Sequence, residues 1–528
     1  MRANNQMSSL GLRCEALVIN QRRALADEQR LKAERKQPGY RMFEGAEFGR
    51  LFSDWVTSST SHDSELRSSL RTLRNRSRQL VRDNEFALNA VRLIRNNVVG
   101  MGVGFQAKVK MRRGDKPDTN LNKAIQKSFL RWKRKGNCHT AGLLNFNDIE
   151  RLIIGEVVES GEILVRMIRR PFGKSKIPFA LEIIEADQLS DERNSRAPNG
   201  NEIRMGVEVD EWQRPVAYWV YPRHPGDYQY ANADVGSQLK RIPAEEVIHL
   251  YAPTRWPQTR GTPWFHAVIT TLQHLGKFEE AEIVKARLQA CIAAFITSPE
   301  ADDPTATGKV NGQNVSSLEP GIMRRLFPGE EITFSNPTSP GGESAPYKAK
   351  ALEKISAGFG ISYASLSHDY SKSNYSSSRL ALLDERDNYR ILQQWLIDHF
   401  HQVVYENWLD MAVLSGEINI PGYELDSEFY QECCWRARGW QWVDPHKEVS
   451  AATDSVRGGF KTLTDIAGEM GQDFAELVEQ RLAEIKLTQE AGLVFDTDPS
   501  QVDQTGKTQP VETEEEDNPD EEGLKKAA

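Results

Sequence analysis

The sequence predicts an α+β protein, because two kinds of hydrophobic spacing occupy different stretches of it. Between Asp148 and Tyr251, short β-branched and aromatic runs alternate with turn residues, whereas 263–297 and 376–414 hold helical spacing over many turns. The bulk numbers agree. A chain of 528 residues has room for roughly two to four domains, and 39% apolar with 27% charged residues describes a soluble globular protein.

Residues 1–60 are charge-rich and weakly periodic, broken at Pro38-Gly39, and read as a peripheral or partly mobile arm. From Ser64 to Gly100, Leu66, Leu70, Leu73, Leu80, Val91 and Ile94 recur at helix spacing, and eight arginines face three acids. Arg71, Arg74, Arg76, Arg78 and Arg82 cover more than one helix face. The plain reading is a solvated or intersubunit surface, and the alternative is one facing DNA or a partner. Gly100, Gly102 and Gly104 end the helix. The β-rich part opens with LIIGEVVE and EILVRMI, which Ser160-Gly161 would join as a hairpin. FALEIIEA, IRMGVEVD, VAYWVY and EVIHLY follow as further strands.

Thr262 and Pro263 then suit a helix start, with a capping hydroxyl and a proline where its missing N–H does no harm. Helical spacing runs from there to Thr297, 35 residues or roughly 50 Å. Pro299 and a Gly/Asn/Ser-rich stretch end it, and GIMRRLFPGEEITFSNP reads as short strands and turns. A shorter helix covers Tyr347 to Phe359. The loop after it holds eight serines from Ser362 to Ser378, with three tyrosines, Asp369, Lys372 and Asn374. No apolar core would keep such a loop. It runs straight into a helix from about Ser376 to Leu414, roughly 58 Å long. Helices of this length suit an extended assembly. After Pro421-Gly422 comes an aromatic-rich passage, then a helical stretch from Asp444 to Gln489 with Gly-containing breaks. Residues 511–522 carry eight acids and no base, a solvated tail. No internal repeat of 20–50 residues occurs.

The chemistry of this chain does not point to catalysis. Gly173-Lys174-Ser175 and Gly506-Lys507-Thr508 lack the upstream glycine of a phosphate-binding loop, and Gly459-Phe460-Lys461-Thr462 splits the Gly-Lys pair. The Gly100–Gly104 run follows a helix, so a dinucleotide reading is weak, and GxSxG and HExxH do not occur. Cys138-His139 has no ligand-like companion nearby, and His399 and His401 read as ordinary helix residues. Glu279-Glu280 and Glu330-Glu331 read as wet faces before they read as nuclease metal ligands. Five cysteines without a CxxC pair indicate reduced thiols. No run approaches the roughly 18 apolar residues of a membrane helix. There is no apolar signal-peptide core, so the Asn374-Tyr375-Ser376 sequon is coincidental. A formal net charge of −8 excludes a protein that coats DNA by charge, though not one that lets DNA slide past. The sequence thus offers no catalytic residue, no metal site and no cofactor.

Asp369-Tyr370-Ser371 and Asn374-Tyr375-Ser376-Ser377-Ser378-Arg379 closely resemble the lambda-type family of tailed-phage portal proteins. Further similarity lies in Arg78-Gln-Leu-Val-Arg-Asp-Asn84 with Asn96-Asn97-Val-Val-Gly100, and in Glu156 with Glu159-Ser160-Gly161-Glu162. It continues in Arg255 to Trp264 and in Trp442-Val-Asp444-Pro445-His-Lys447-Glu448, so it spans about 60–490.

The resemblance implies a portal-protein fold with a strand-rich wing (61–260), a first stem helix (261–298) and a clip (299–345). A second stem helix, tunnel loop and tunnel helix would fill 346–415, and a helical crown 416–500. The arm 1–60 and the acidic tail 501–528 fall outside it. It also implies a ring, usually of twelve copies, at one capsid vertex, through which double-stranded DNA passes without sequence reading. The implied partners are the terminase large subunit, major capsid and scaffolding proteins, and head–tail connector proteins, with no membrane. Assembly would take place in the bacterial cytoplasm and the finished ring would sit in the virion. Lys348, Lys350, Lys354, Lys372, Asn374 and Arg379 would then face the DNA, each with an intersubunit ion pair as its alternative. Arg324 and Arg325 in the clip would meet terminase. The competing readings are another head component, an adaptor or capsid protein, and a terminase-like enzyme that would need the missing phosphate loop.

Overall fold

The computed structural model describes residues 59–493 apart from 113, 115, 228–237, 291–293, 298–307, 311–312, 316–330, 335–343, 372–373 and 441–443. Almost all of them belong to one unit that starts at His62.

Helix α1 (His62–Asp83) buries Leu66, Leu70, Arg74, Ser77 and Val81, a single face at spacings of three and four. Asp63 and Glu65 in its first turn and Arg82 in its last complement its dipole. It stops because Asn84 leaves the helical region and caps α2 (Glu85–Val98), accepting from Ala87 N. Gly100 and Gly102 follow at positive φ, then strand β1 (Gly104–Ala107) and helix α3 (Thr119–Trp132).

The expected hairpin at 152–168 is not formed. LIIGEVVE belongs to helix α4 (Phe146–Ser160), which Asn145 and Asp148 start with a reciprocal capping box. Gly161 ends it in the left-handed region at φ 91°. EILVRMI is strand β2 (Glu162–Ile168), as expected. It is the centre of an antiparallel sheet, flanked by β3 (Ala180–Ile184) and, later in the chain, β9 (Val247–Tyr251). Leu164 lies opposite both Ile184 and His249.

A five-stranded antiparallel meander lies between them in sequence. It comprises β4 (Ser195–Arg196), β5 (Glu202–Arg204), β6 (Val207–Val209), β7 (Pro215–Val220) and β8 (Lys240–Pro243). IRMGVEVD, read as one strand, is β5 and β6 folded at Met205-Gly206, where both residues have positive φ. Leu164, Val207, Val209, Tyr218 and Val247 form the apolar cluster of this region.

The long helix expected over 263–297 is also revised. Thr262 does not cap it, since its Oγ1 is buried without a hydrogen-bond partner. A single tight turn, Trp264–Ala267, precedes helix α5 (Ile269–Ala290), which is 22 residues long. Ala294–Thr297 is strand β10, paired antiparallel with β13 (Glu331–Phe334), and β11 (Gly308–Val310) pairs with β12 (Gln313–Val315). Helix α6 (Ser344–Phe359) matches the expected second helix.

After a short helix, α7 (Tyr363–Ser367), comes the longest rod among the described residues. Helix α8 (Tyr375–Leu396), a π-helical turn (Ile397–His401) and α9 (Gln402–Leu414) run without a break. At 1.5 Å per residue this is about 60 Å, close to the expectation. Strand β14 (Cys433–Arg436) returns to pair with β1. Helices α10 (Pro445–Arg457), α11 (Leu463–Glu469) and α12 (Phe474–Ala491) close the described chain. Each has its own side-chain cap, Asp444, Thr462 and Asp473, and the loops between them contain the expected Gly458-Gly459 and Gly471 breaks.

The main core gathers residues from Val81 to Tyr430. At its centre Phe129 packs edge-on against Trp408 with ring centroids 4.8 Å apart, and Phe105 lies 5.0 Å from Trp435. Among the described residues no helix is long and apolar enough to cross a membrane.

Candidate functional site

The polar loop after α6 is held from behind and open in front. Ser362 caps α7, and Glu385 of α8 accepts hydrogen bonds from Ser362 N and from Ser365 Oγ. Asn89 of α2 donates to the carbonyls of Ser365 and Leu366 at 3.1 and 2.9 Å. Asp369 organises the next turn, accepting from Tyr363 Oη at 3.0 Å and from Ser371 N and Oγ at 3.0 and 2.6 Å. That is a side-chain-made turn of the kind Asp favours. Tyr370, 60% exposed, is carried on its outside.

The residues expected to face DNA occupy distinct settings. Asn374 caps α8, accepting from Ser377 N at 2.8 Å, while Ser377 Oγ accepts in return from Asn374 N. Arg379, one turn into α8, reaches Glu448 of α10 at 3.4 Å. On α6, Lys348 pairs with Glu279 of α5 at 3.0 Å and Lys350 with Glu353 at 2.6 Å. Lys354 is exposed and has no ion-pair partner among the described residues. The two helices touch through Phe278 and Tyr347, and a Cβ on Gly358 would lie 2.3 Å from Val268 Cγ1. Lys372, Arg324 and Arg325 lie outside the described residues, as do most of the arm 1–60 and all of the tail 501–528.

The arginine-rich face of α1 is neither solvated nor open to DNA at its centre. Arg74 is buried, with Nη2 2.8 Å from Glu162 Oε1, Nη1 2.6 Å from Asp187 and Nε donating to Ser160 O. Arg260, wholly buried, approaches the same Glu162 oxygen from the other side at 2.5–2.7 Å and donates to the carbonyls of Met205 and Ala186. Glu162 Oε2 takes Gly261 N at 2.7 Å and lies 3.0 Å from His249 Nε2. Burial pushes the Glu162 carboxyl up, but Arg260, the His249 hydrogen bond and Arg74 outweigh it and hold it well below the usual carboxylate range. Sequence spacing alone did not single out this cluster. The available signal was a charged residue, Glu162, heading the apolar run Ile163-Leu164-Val165.

Beside it, Arg78 binds Asp187 and Glu185, the latter at 2.7 Å. Glu185, Asp187 and His224 offer ligand atoms within 4.8 Å of one another. Both of these carboxylates are already paired with the Arg78 guanidinium. Glu159, on the last turn of α4, is raised to about 7 by burial and by the neighbouring Glu156.

His401 is not an ordinary helix residue. The π turn swings it inward, where it is fully buried with Nε2 2.9 Å from Glu150 Oε1. Glu150 Oε2 accepts from Val103 N, so the pair joins α4, the residue before β1 and the long rod.

Comparison with known proteins agrees with the resemblance. Residues 48–393 match the phage portal protein, lambda family. The chain belongs to that family, whose members are structural components and not enzymes, and it is a phage portal protein of the virion. It is 31% identical over 478 residues to a probable portal protein of Halomonas phage phiHAP-1, covering 89% of this chain and 91% of that one. It is 21% identical over 489 residues to portal protein B of Escherichia phage lambda, covering 85% and 90%. Among solved structures it resembles a chain in the neck of a native GTA particle computed with C12 symmetry. That match has TM-score 0.41 and 15% identity, and covers 75% of this chain and 93% of that one.

Proposed function

We propose that twelve copies of this chain close into a ring at one capsid vertex, through which the terminase motor packages double-stranded DNA and from which that DNA is later ejected. Capsid and scaffolding proteins would hold the ring in the shell, and head–tail connector proteins would attach to it. Assembly would take place in the host cytoplasm. The observation that carries this reading is membership of the portal family over most of the chain. The architecture supports it physically. A closed ring needs two different faces on each subunit, and α8, which leaves Leu380 and Ile391 about 70% exposed, has apolar surface to spare beyond its own core.

On this reading the sheets between β2 and β9 form the wing, α5 and α6 the stem, the strands between them the clip, and α10–α12 the crown. Arg324 and Arg325 are proposed to meet terminase. Lys348, Lys350, Lys354, Lys372, Asn374 and Arg379 are proposed to border the channel, where bands of positive charge touch phosphates without reading bases. Of Lys348, Lys350 and Lys354, Lys354 is the one with no ion-pair partner among the described residues, while Asn374 caps α8. The test is to image the purified protein end-on by negative-stain electron microscopy and to weigh it by light scattering. Rings with twelve subunits and a mass near 718 kDa, twelve times 59.8 kDa, are expected. A stable monomer, or open tubes, would overturn the proposal.

A further inference from the structure

We infer that the groove between α3, the end of β1 and the start of α12 is a docking site for this chain's own acidic segment, residues 511–522. The groove encloses about 1090 Å³. One wall is basic. Lys123 and Lys127 lie one turn apart on α3 and Arg134 just beyond its end, while Lys108 and Lys110 flank them from the β1 side, where Glu432 also lines the groove. The opposite rim is the first turns of α12, with Asp473, Glu476 and Glu479.

Six bases and four acids line the groove, and with Arg131 taken by Glu417 outside it, pairing leaves four bases against Glu432 and Glu476. Lys123 is matched by Glu479 at 2.8 Å, and Asp473 is taken by Arg436 at 3.1 Å. Lys108, Lys110, Lys127 and Arg134 are all exposed and have no acidic partner among the described residues. Like charges gathered on one face repel unless something covers them. Leu130, half exposed in the same wall, adds an apolar foothold.

The segment 511–522 fits this wall in charge and in reach. It holds eight acids and no base, so it accounts for the whole formal charge of −8 and the remainder of the chain sums to zero. Helix α12, which forms the acidic rim, leads directly toward it. From Leu493 to residue 511 the chain can span at most about 60 Å, whereas the return along the 18 residues of α12 is only about 27 Å. A tethered segment at that distance acts at an effective concentration on the order of millimolar. Free polyanions, nucleic acid included, would have to displace it.

The test uses the full-length protein and a zero-length carbodiimide cross-linker, with the linked peptides identified by mass spectrometry. The expected links join Lys108, Lys110 or Lys127 to acids between Glu512 and Glu522. Their yield should fall at least tenfold at 1 M salt, and the Lys127 links should fall likewise when Lys108, Lys110 and Arg134 are changed to Glu with Lys127 kept. The Lys123–Glu479 link reports that the groove is folded. If that link forms and the tail links do not, or if the tail links scatter over unrelated lysines, the inference is wrong. Mixing nitrogen-15-labelled and unlabelled copies before assembly separates own-chain from neighbour-chain docking, and isotopically mixed links would overturn the own-chain assignment. As an independent measure, deleting 511–522 should raise acetylation of Lys127 and Lys110 several-fold while leaving Lys354 unchanged. Equal labelling with and without the segment would also overturn it.

Discussion

Glu162 shows how much can rest on one carboxylate. It neutralises two buried guanidiniums, fixes Gly261 N and accompanies His249, all without exposure to water. Glu162→Ala would leave Arg74 and Arg260 buried without their counter-ion, and an expected loss of about 3–5 kcal/mol would show in chemical denaturation of the purified protein. A loss below 1 kcal/mol would mean that the cluster is not what joins α1 to the sheet. Glu159 makes the opposite case. Its folded-state pKa is raised from 4.5 to about 7, so the folded chain binds a proton there that the unfolded chain gives up. Stability from this group is therefore present at and below about pH 4.5 and is lost as pH rises toward 7. Glu159→Gln should flatten that decline, raising Tm at pH 8 and leaving it unchanged near pH 4.5. Neither role was legible beforehand, because both depend on which distant residues arrive. Asn374 differed, since its cap is made with Ser377 three positions away and is written in the local sequence.

Local order also explains which elements could be read. Helices α6 and α8–α9 match their periodic stretches, and the caps of α10–α12 stand in plain sequence. The stretch LIIGEVVE misleads because a short, nearly continuous apolar run fits a buried strand and a buried helix equally. The capping box before it and the glycine after it decide for helix. Likewise, the spacing that runs on to Thr297 hides the change from α5 to β10, since strand formation there depends on a partner more than thirty residues away. Gly161 and Gly261 mark the place where α4, β2 and the approach to α5 crowd together. A Cβ on Gly261 would sit 2.1 Å from the Gly161 carbonyl oxygen, a backbone atom that cannot swing aside. Gly261→Ala should lower stability by about 1–3 kcal/mol or more, measurable as a drop in Tm. An unchanged Tm would mean that the two backbones are further apart than this.

From His62 on, the described chain combines an aromatic-rich core with a polar loop fixed through Glu385, Asn89 and Asp369. Lys372→Ala together with Arg379→Ala should leave ring formation intact while reducing DNA packaging or retention, scored as packaged genomes per procapsid. Normal packaging by that variant would remove these residues from the proposed channel. The family was legible because its motifs are local, whereas the arrangement of the core was not. Strand β1 pairs with β14 across some 330 positions of sequence, and Phe105 shares its pocket with Tyr405 and Trp435. On the ribosome, then, the first third of this protein must wait for the last fifth before its interior can close. Such late, non-local closure is slow and leaves apolar surface open meanwhile. A chain that stops before Cys433 would lack the strand that pairs with β1 and the Trp435 ring that packs on Phe105.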